Sequence, residues 1–111
     1  MNLEHVALFV DDLEEMKAFY VRHFGATANN QYHNPRTGLQ TYFLTFDGGA
    51  RLEIMQRPGM SPRPSGELVL GYTHISFKLG SAEKVDELTK ELQENGCPLL
   101  NGPRTTGDGY Y

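Results

Sequence analysis

What most constrains this chain is a pattern that starts twice. LEHVALFV at 3–10 alternates apolar and polar residues with the period of a strand, and GYTHISFKL at 71–79 does so again. Each run leads into helical spacing. Asp11 and Asp12 can cap a helix over roughly 12–24, with Leu13, Met16, Tyr20 and Phe24 on one face and Gly25 as its stop. Ser81 can cap a second helix carrying Val85, Leu88 and Leu92, ended by Asn95-Gly96. An offset of 69 carries His5 onto His74, Leu8 onto Phe77, Val10 onto Leu79 and Met16 onto Val85. Between the two copies lie strand-like runs near 27–32, at 38–47 and at 51–56, punctuated by Asn34-Pro35 and Asp47-Gly48-Gly49. RPGMSPRPSGE at 57–67 then reads as an exposed linker. The unit is βαβββ, and two copies within one domain fit better than a solenoid array.

Composition narrows the function classes. A chain of 111 residues is sized for one domain. Its net charge of -4, with ten scattered Lys and Arg residues, argues against a nucleic-acid partner. Cys97 is alone, which excludes an internal disulfide and favours a reducing, cytoplasmic setting. No basic segment precedes an apolar run at the start, and no apolar run reaches membrane-spanning length, so neither secretion nor a membrane partner is expected.

Strand parity then decides which side chains meet. Val6, Leu8 and Val10 form the face expected to pack on the helix, leaving His5, Ala7 and Phe9 opposite. Leu52 and Ile54 are expected inward, with Arg51, Glu53 and Met55 away from the helix. In 71–79, Ile75, Phe77 and Leu79 are expected inward, with Tyr72, His74 and Ser76 on the other side. If the uncovered face curls into a trough, His5, Glu53 and His74 converge. Two imidazoles and a carboxylate suit Zn, Ni, Co, Fe or Mn. Spread over three strands, they leave coordination positions open for water and substrate. The plainer alternative makes each His a hydrogen-bonded structural residue and pairs Glu53 with Arg51 or another cation. Tyr42 and Tyr72 are candidates to line the trough, and Arg51 to meet an anionic substrate or orient Glu53. His23 and His33 read as surface groups.

LEHVALFV followed by DDLEEMKAFYVRHFG resembles the opening of vicinal-oxygen-chelate proteins, the superfamily of glyoxalase I, methylmalonyl-CoA epimerase, extradiol dioxygenases and antibiotic-resistance proteins. RLEIM and GYTHISF resemble the strands that supply its second and third metal ligands. The resemblance implies an α+β fold of tandem βαβββ modules forming a cupped, open barrel. It divides the chain into module one at 1–56, a linker at 57–70 and an incomplete module two at 71–111. It implies a divalent metal on His5, Glu53 and His74. A Glu at position 53 is similar to glyoxalase I rather than to the dioxygenases or fosfomycin-type enzymes.

The implied activity is that of a lyase or isomerase on a small molecule with adjacent oxygens, through a metal-stabilised enediolate, with Glu53 as catalytic carboxylate. Where the glutathione-dependent family carries an Arg and an Asn, each four residues after a ligand, this chain has Phe9 and Arg57, so glutathione hemithioacetal is not the expected substrate. The alternative from another class is a non-catalytic protein that sequesters an aromatic or antibiotic-like compound, suggested by Phe9, Met55 and Tyr72. The resemblance also implies a homodimer. The offset of 69 would carry Glu53 to position 122, beyond Tyr111, so the expectation is a longer natural protein whose added strands bring a fourth, acidic ligand.

Overall fold

The computed structural model describes every residue except Ser65 and Glu67, two members of the expected linker that lie outside the described residues. The chain divides into two compact units, Met1–Ser65 and Gly66–Tyr111.

In the first unit the order is β1 (His5–Phe9), α1 (Leu13–Phe24), β2 (Thr27–Ala28), β3 (Tyr32–His33), β4 (Gln40–Thr45) and β5 (Arg51–Gln56). The sheet runs β1-β5-β4-β2, with β3 also on β4, and it is open. β1 lies parallel to β5, while every other pairing is antiparallel. A parallel pair needs a long crossover, and α1 together with the β2–β4 meander supplies it. β2 and β3 are two halves of one interrupted strand. At the interruption Asn29 N–H donates to the Phe43 carbonyl (3.1 Å), and Asn29 Oδ1 accepts from Phe43 N–H (2.8 Å). The side chain thus takes the place of a ladder carbonyl.

Helix α1 begins where the chain supplies its caps. Asp12 is extended, and its Oδ1 accepts from Glu15 N–H at 3.0 Å. Glu14 and Glu15 occupy the first turn, where the helix dipole favours acids. The free N–H of Leu13 donates to Gln56 Oε1 (3.1 Å), and Gln56 Nε2 donates to the Asp11 carbonyl (2.7 Å). One amide side chain therefore ties the end of β5 to the start of α1. Gly25 ends the helix at φ 64. Gly38, in the hairpin between β3 and β4, has φ +74, and a Cβ there would lie 2.8 Å from Pro58 Cδ.

Parity gives the core. Leu52 and Ile54 of β5 and Tyr42 and Leu44 of β4 are buried with Val10, Leu13 and Ala26, and Leu8, Met16, Tyr20, Ala28 and Phe46 pack around them. α1 covers this face only.

The second unit contains α2 (Ala82–Glu94), with Ser81 Oγ accepting from Lys84 N–H at 3.2 Å and Asn95 as C-cap. Val85, Leu88 and Leu92 are half-buried along it, and Tyr111 Oη donates to Asp86 Oδ1 at 2.7 Å. The strands expected at 71–79 and near 98–101 are not formed among the described residues: both segments lack a ladder. A β-strand exists only with a hydrogen-bonded neighbour, and within Gly66–Tyr111 no described segment supplies one. No helix among the described residues is long and apolar enough to cross a membrane.

Because Ile54 is fully buried between α1 and the sheet, Ile54→Ala is expected to destabilise the protein by about 2–5 kcal/mol. Phe9→Ala, on the uncovered face with 55% of its surface exposed, should cost far less. Chemical denaturation of the two variants side by side checks the order.

Candidate metal centre

The face of the sheet away from α1 carries the candidate site. In the β1/β5 register His5 lies opposite Arg51 and Ala7 opposite Glu53, so the His5 and Glu53 side chains are diagonal neighbours on one face. His5 Nε2 lies 3.8 Å from Glu53 Oε2. That is beyond hydrogen-bonding reach but suits two donors to one ion, since metal–nitrogen and metal–oxygen bonds of about 2.0–2.2 Å allow a shared ion at such a separation. The His5 side chain is 41% exposed and that of Glu53 only 16%. On this face, then, the residues present fit half of a metal site.

Phe43 of β4, opposite Glu53, forms the next part of the floor. The His5 ring meets it edge-on, with centroids 5.2 Å apart and planes at 85°. Arg51 lies over the same ring, its Cζ 4.1 Å from the centroid. The guanidinium goes to Glu4 rather than to Glu53: Arg51 Nε donates to Glu4 Oε1 at 2.7 Å, and Nη2 pairs with the same oxygen. Glu4 Oε2 in turn contacts His5 Nδ1. The His5 hydrogen bond, reinforced by Arg51, holds the Glu4 carboxyl below its ordinary pKa. The Arg51 guanidinium is thus engaged by Glu4 across the parallel pair rather than by Glu53.

His74 lies in the second unit, exposed, with its Nδ1 2.9 Å from Thr73 Oγ1. Among the described residues no three His, Cys, Asp or Glu side chains are gathered into a set that would hold an ion. His33 is exposed on β3, and His23 sits on α1 with its ring 5.2 Å from Phe19.

Tyr42 is not in the trough. It is 6% exposed on the helix-covered face, where its hydroxyl donates to Glu14 Oε1 at 2.6 Å and accepts from Gln31 Nε2 at 3.3 Å. Its pairing with Ile54 sets that parity and turns Phe43 to the site. The alternation of Tyr42, Leu44 and Phe46 carried the signal for this. Tyr72 is in the second unit and 84% exposed. Beyond the end of β1, Phe9, Val10 and Asp11 face Met60, Ser61, Pro62 and Arg63 across a groove of about 370 Å³.

The model of the Glyoxalase/Bleomycin resistance protein/Dioxygenase superfamily matches residues 2–111. The chain belongs to that superfamily. Its curated relatives include the uncharacterized protein PA2024 of Pseudomonas aeruginosa, 32% identical over 113 residues that cover 99% of this chain and 77% of the relative. Among solved structures, the trypanothione-dependent glyoxalase I of Leishmania major superposes with a TM-score of 0.76 at 20% identity, over 100% of this chain and 83% of that one. The fosfomycin resistance protein FosX of Listeria monocytogenes, complexed with Mn(II) and a sulfate ion, gives 0.69 at 25% identity, over 90% and 75%. The vicinal-oxygen-chelate fold is therefore that of this chain.

Placing Tyr42 on the covered face has a measurable consequence for this superfamily member. Tyr42→Phe should lose about 1 kcal/mol of stability with the Glu14 hydrogen bond, while leaving the His5–Glu53 face unaltered. Thermal unfolding reads the first effect, and the His5 ring resonances read the second.

Proposed function

We propose that this chain is a glyoxalase-like, metal-dependent lyase or isomerase acting on a small molecule with adjacent oxygens, with His5, Glu53 and His74 as ligands. The observation that carries the proposal is the pair His5 Nε2 and Glu53 Oε2, 3.8 Å apart on the face that α1 leaves open. Superfamily membership supports the donor set, and FosX with Mn(II) is a relative of this fold that holds a divalent ion. His74 enters by the resemblance of its strand sequence, as the third ligand from the same chain or from the second chain of a homodimer. Metal identity is left open among Zn, Ni, Co, Fe and Mn.

When bound, the ion supplies Lewis-acid polarisation of the substrate's two oxygens. The chain's own groups do the rest. Glu53 is the carboxylate that takes the proton from the carbon beside them, and its low exposure keeps bulk water from competing. His5 is held on Phe43, so its ring is fixed before substrate arrives. Phe9 and Met55 give apolar walls in place of the cationic contact expected for glutathione, and the lone Cys97 fits a cytoplasmic setting.

A second reading is supported by the groove of about 370 Å³, where the apolar side chains of Phe9, Met60 and Pro62 lie beside the polar anchors Asp11 and Arg63, a lining that suits sequestration of an aromatic or antibiotic-like compound without turnover.

Metal analysis after chelator-free purification should find one divalent ion per site. His5→Ala and Glu53→Gln should each abolish uptake in a micromolar titration, and metal-loaded protein should turn over α-hydroxycarbonyl compounds. Wild-type protein that takes up no ion contradicts the proposal. Ligand binding that survives Glu53→Gln unchanged, with no turnover by either protein, favours sequestration. Light scattering should give a dimer mass, and a strict monomer at high concentration would contradict the homodimer.

A further inference from the structure

A carboxylate that only accepts hydrogen bonds stands against one nitrogen of His5, and another stands near the second. Glu4 Oε2 contacts Nδ1, while Glu53 Oε2 lies 3.8 Å from Nε2. A neutral imidazole carries one proton, and the closer acceptor determines where it sits. We propose that Glu4, braced by Arg51, is a positioning residue that holds His5 in the Nδ1–H tautomer and so presents its bare Nε2 to the site shared with Glu53.

The bracing is specific. Arg51 Nε and Nη2 both engage Glu4 Oε1, which leaves Oε2 for the imidazole. Arg51 is the registered partner of His5, and its backbone N–H donates to the Glu4 carbonyl at 2.9 Å, so all three residues are tied to one ladder. Phe43 supports both the guanidinium and the imidazole. The Glu4 side chain is 60% exposed, so an exposed ion pair of this kind contributes little to stability, and its effect lies in orientation. With Nδ1 protonated, two lone-pair-bearing atoms, Nε2 and Oε2, face each other, and a divalent cation between them relieves that opposition. Outer carboxylates of this kind typically change metal affinity about 10–100-fold. The metal part of the inference rests on the function proposed above, whereas the tautomer does not.

The test is long-range nitrogen–proton correlation of the His5 ring in the metal-free chain, above the ordinary imidazole pKa, together with Zn2+ titration of the same samples. Wild type should show the Nδ1–H form. Glu4→Ala should move the population to Nε2–H and weaken Zn2+ binding about 10–100-fold. Glu4→Gln, whose carboxamide oxygen still accepts from Nδ1, should retain the tautomer and most of the affinity. An Nε2–H or doubly protonated ring in wild type overturns the inference, as does a Glu4→Ala protein with unchanged tautomer and affinity. An Nδ1–H ring lost in Glu4→Ala, with no Zn2+ uptake by either protein, supports the positioning role and overturns the metal reading instead.

Discussion

Parallel pairing of β1 with β5 fixes the first-unit half of the candidate site, because the register decides which residues share a face. With His5 opposite Arg51, the side chains of Val6, Leu8, Leu52 and Ile54 fall toward α1, and those of His5, Arg51 and Glu53 fall away from it. A slip of one residue on either strand would exchange the two sets, burying a charged group under the helix and exposing Leu or Ile. The apolar core under α1 therefore holds the polar pair in register from the opposite face of the sheet.

Two independent anchors keep the register from drifting. At one end Gln56 satisfies the first amide of α1 and holds the Asp11 carbonyl, so β5 and the helix start are one unit. At the other end the Glu4–Arg51 ion pair and the backbone bond from Arg51 to Glu4 close the ladder. The site lies between them.

Much of this was legible from periodicity and punctuation. The alternation in LEHVALFV, the Asp12 cap, the Gly25 stop and the apolar pair Leu52 and Ile54 are local signals, and the helices and first-unit strands fall where they point. Three readings needed information that spacing does not hold. The segment 71–79 has strand composition, but a strand is a relation between two segments, and composition cannot name the partner. Tyr42 looked like a polar tip for the trough, yet its hydroxyl is satisfied by Glu14 on the covered side, a partner 28 residues away. Arg51 stands two residues from Glu53 on the same face, but Glu4, 47 residues away in sequence, offers its carboxylate across the parallel pair. For the site, His5 and Glu53 followed from parity together with the family resemblance, while the contact between Glu4 and His5 was hidden because neighbours in a strand nominally point to opposite faces.

Gly38 carries a consequence for how this chain can diverge. Its left-handed backbone already disfavours other residues, and the 2.8 Å approach of Pro58 removes the room for any side chain. The hairpin tip is thereby wedged against the first turn of the segment that leaves β5. Two residues further on, that segment becomes the wall of the groove at Met60. A substitution in the hairpin would thus be felt as a change in groove shape, coupling drift in a surface turn to the far end of the β1 groove.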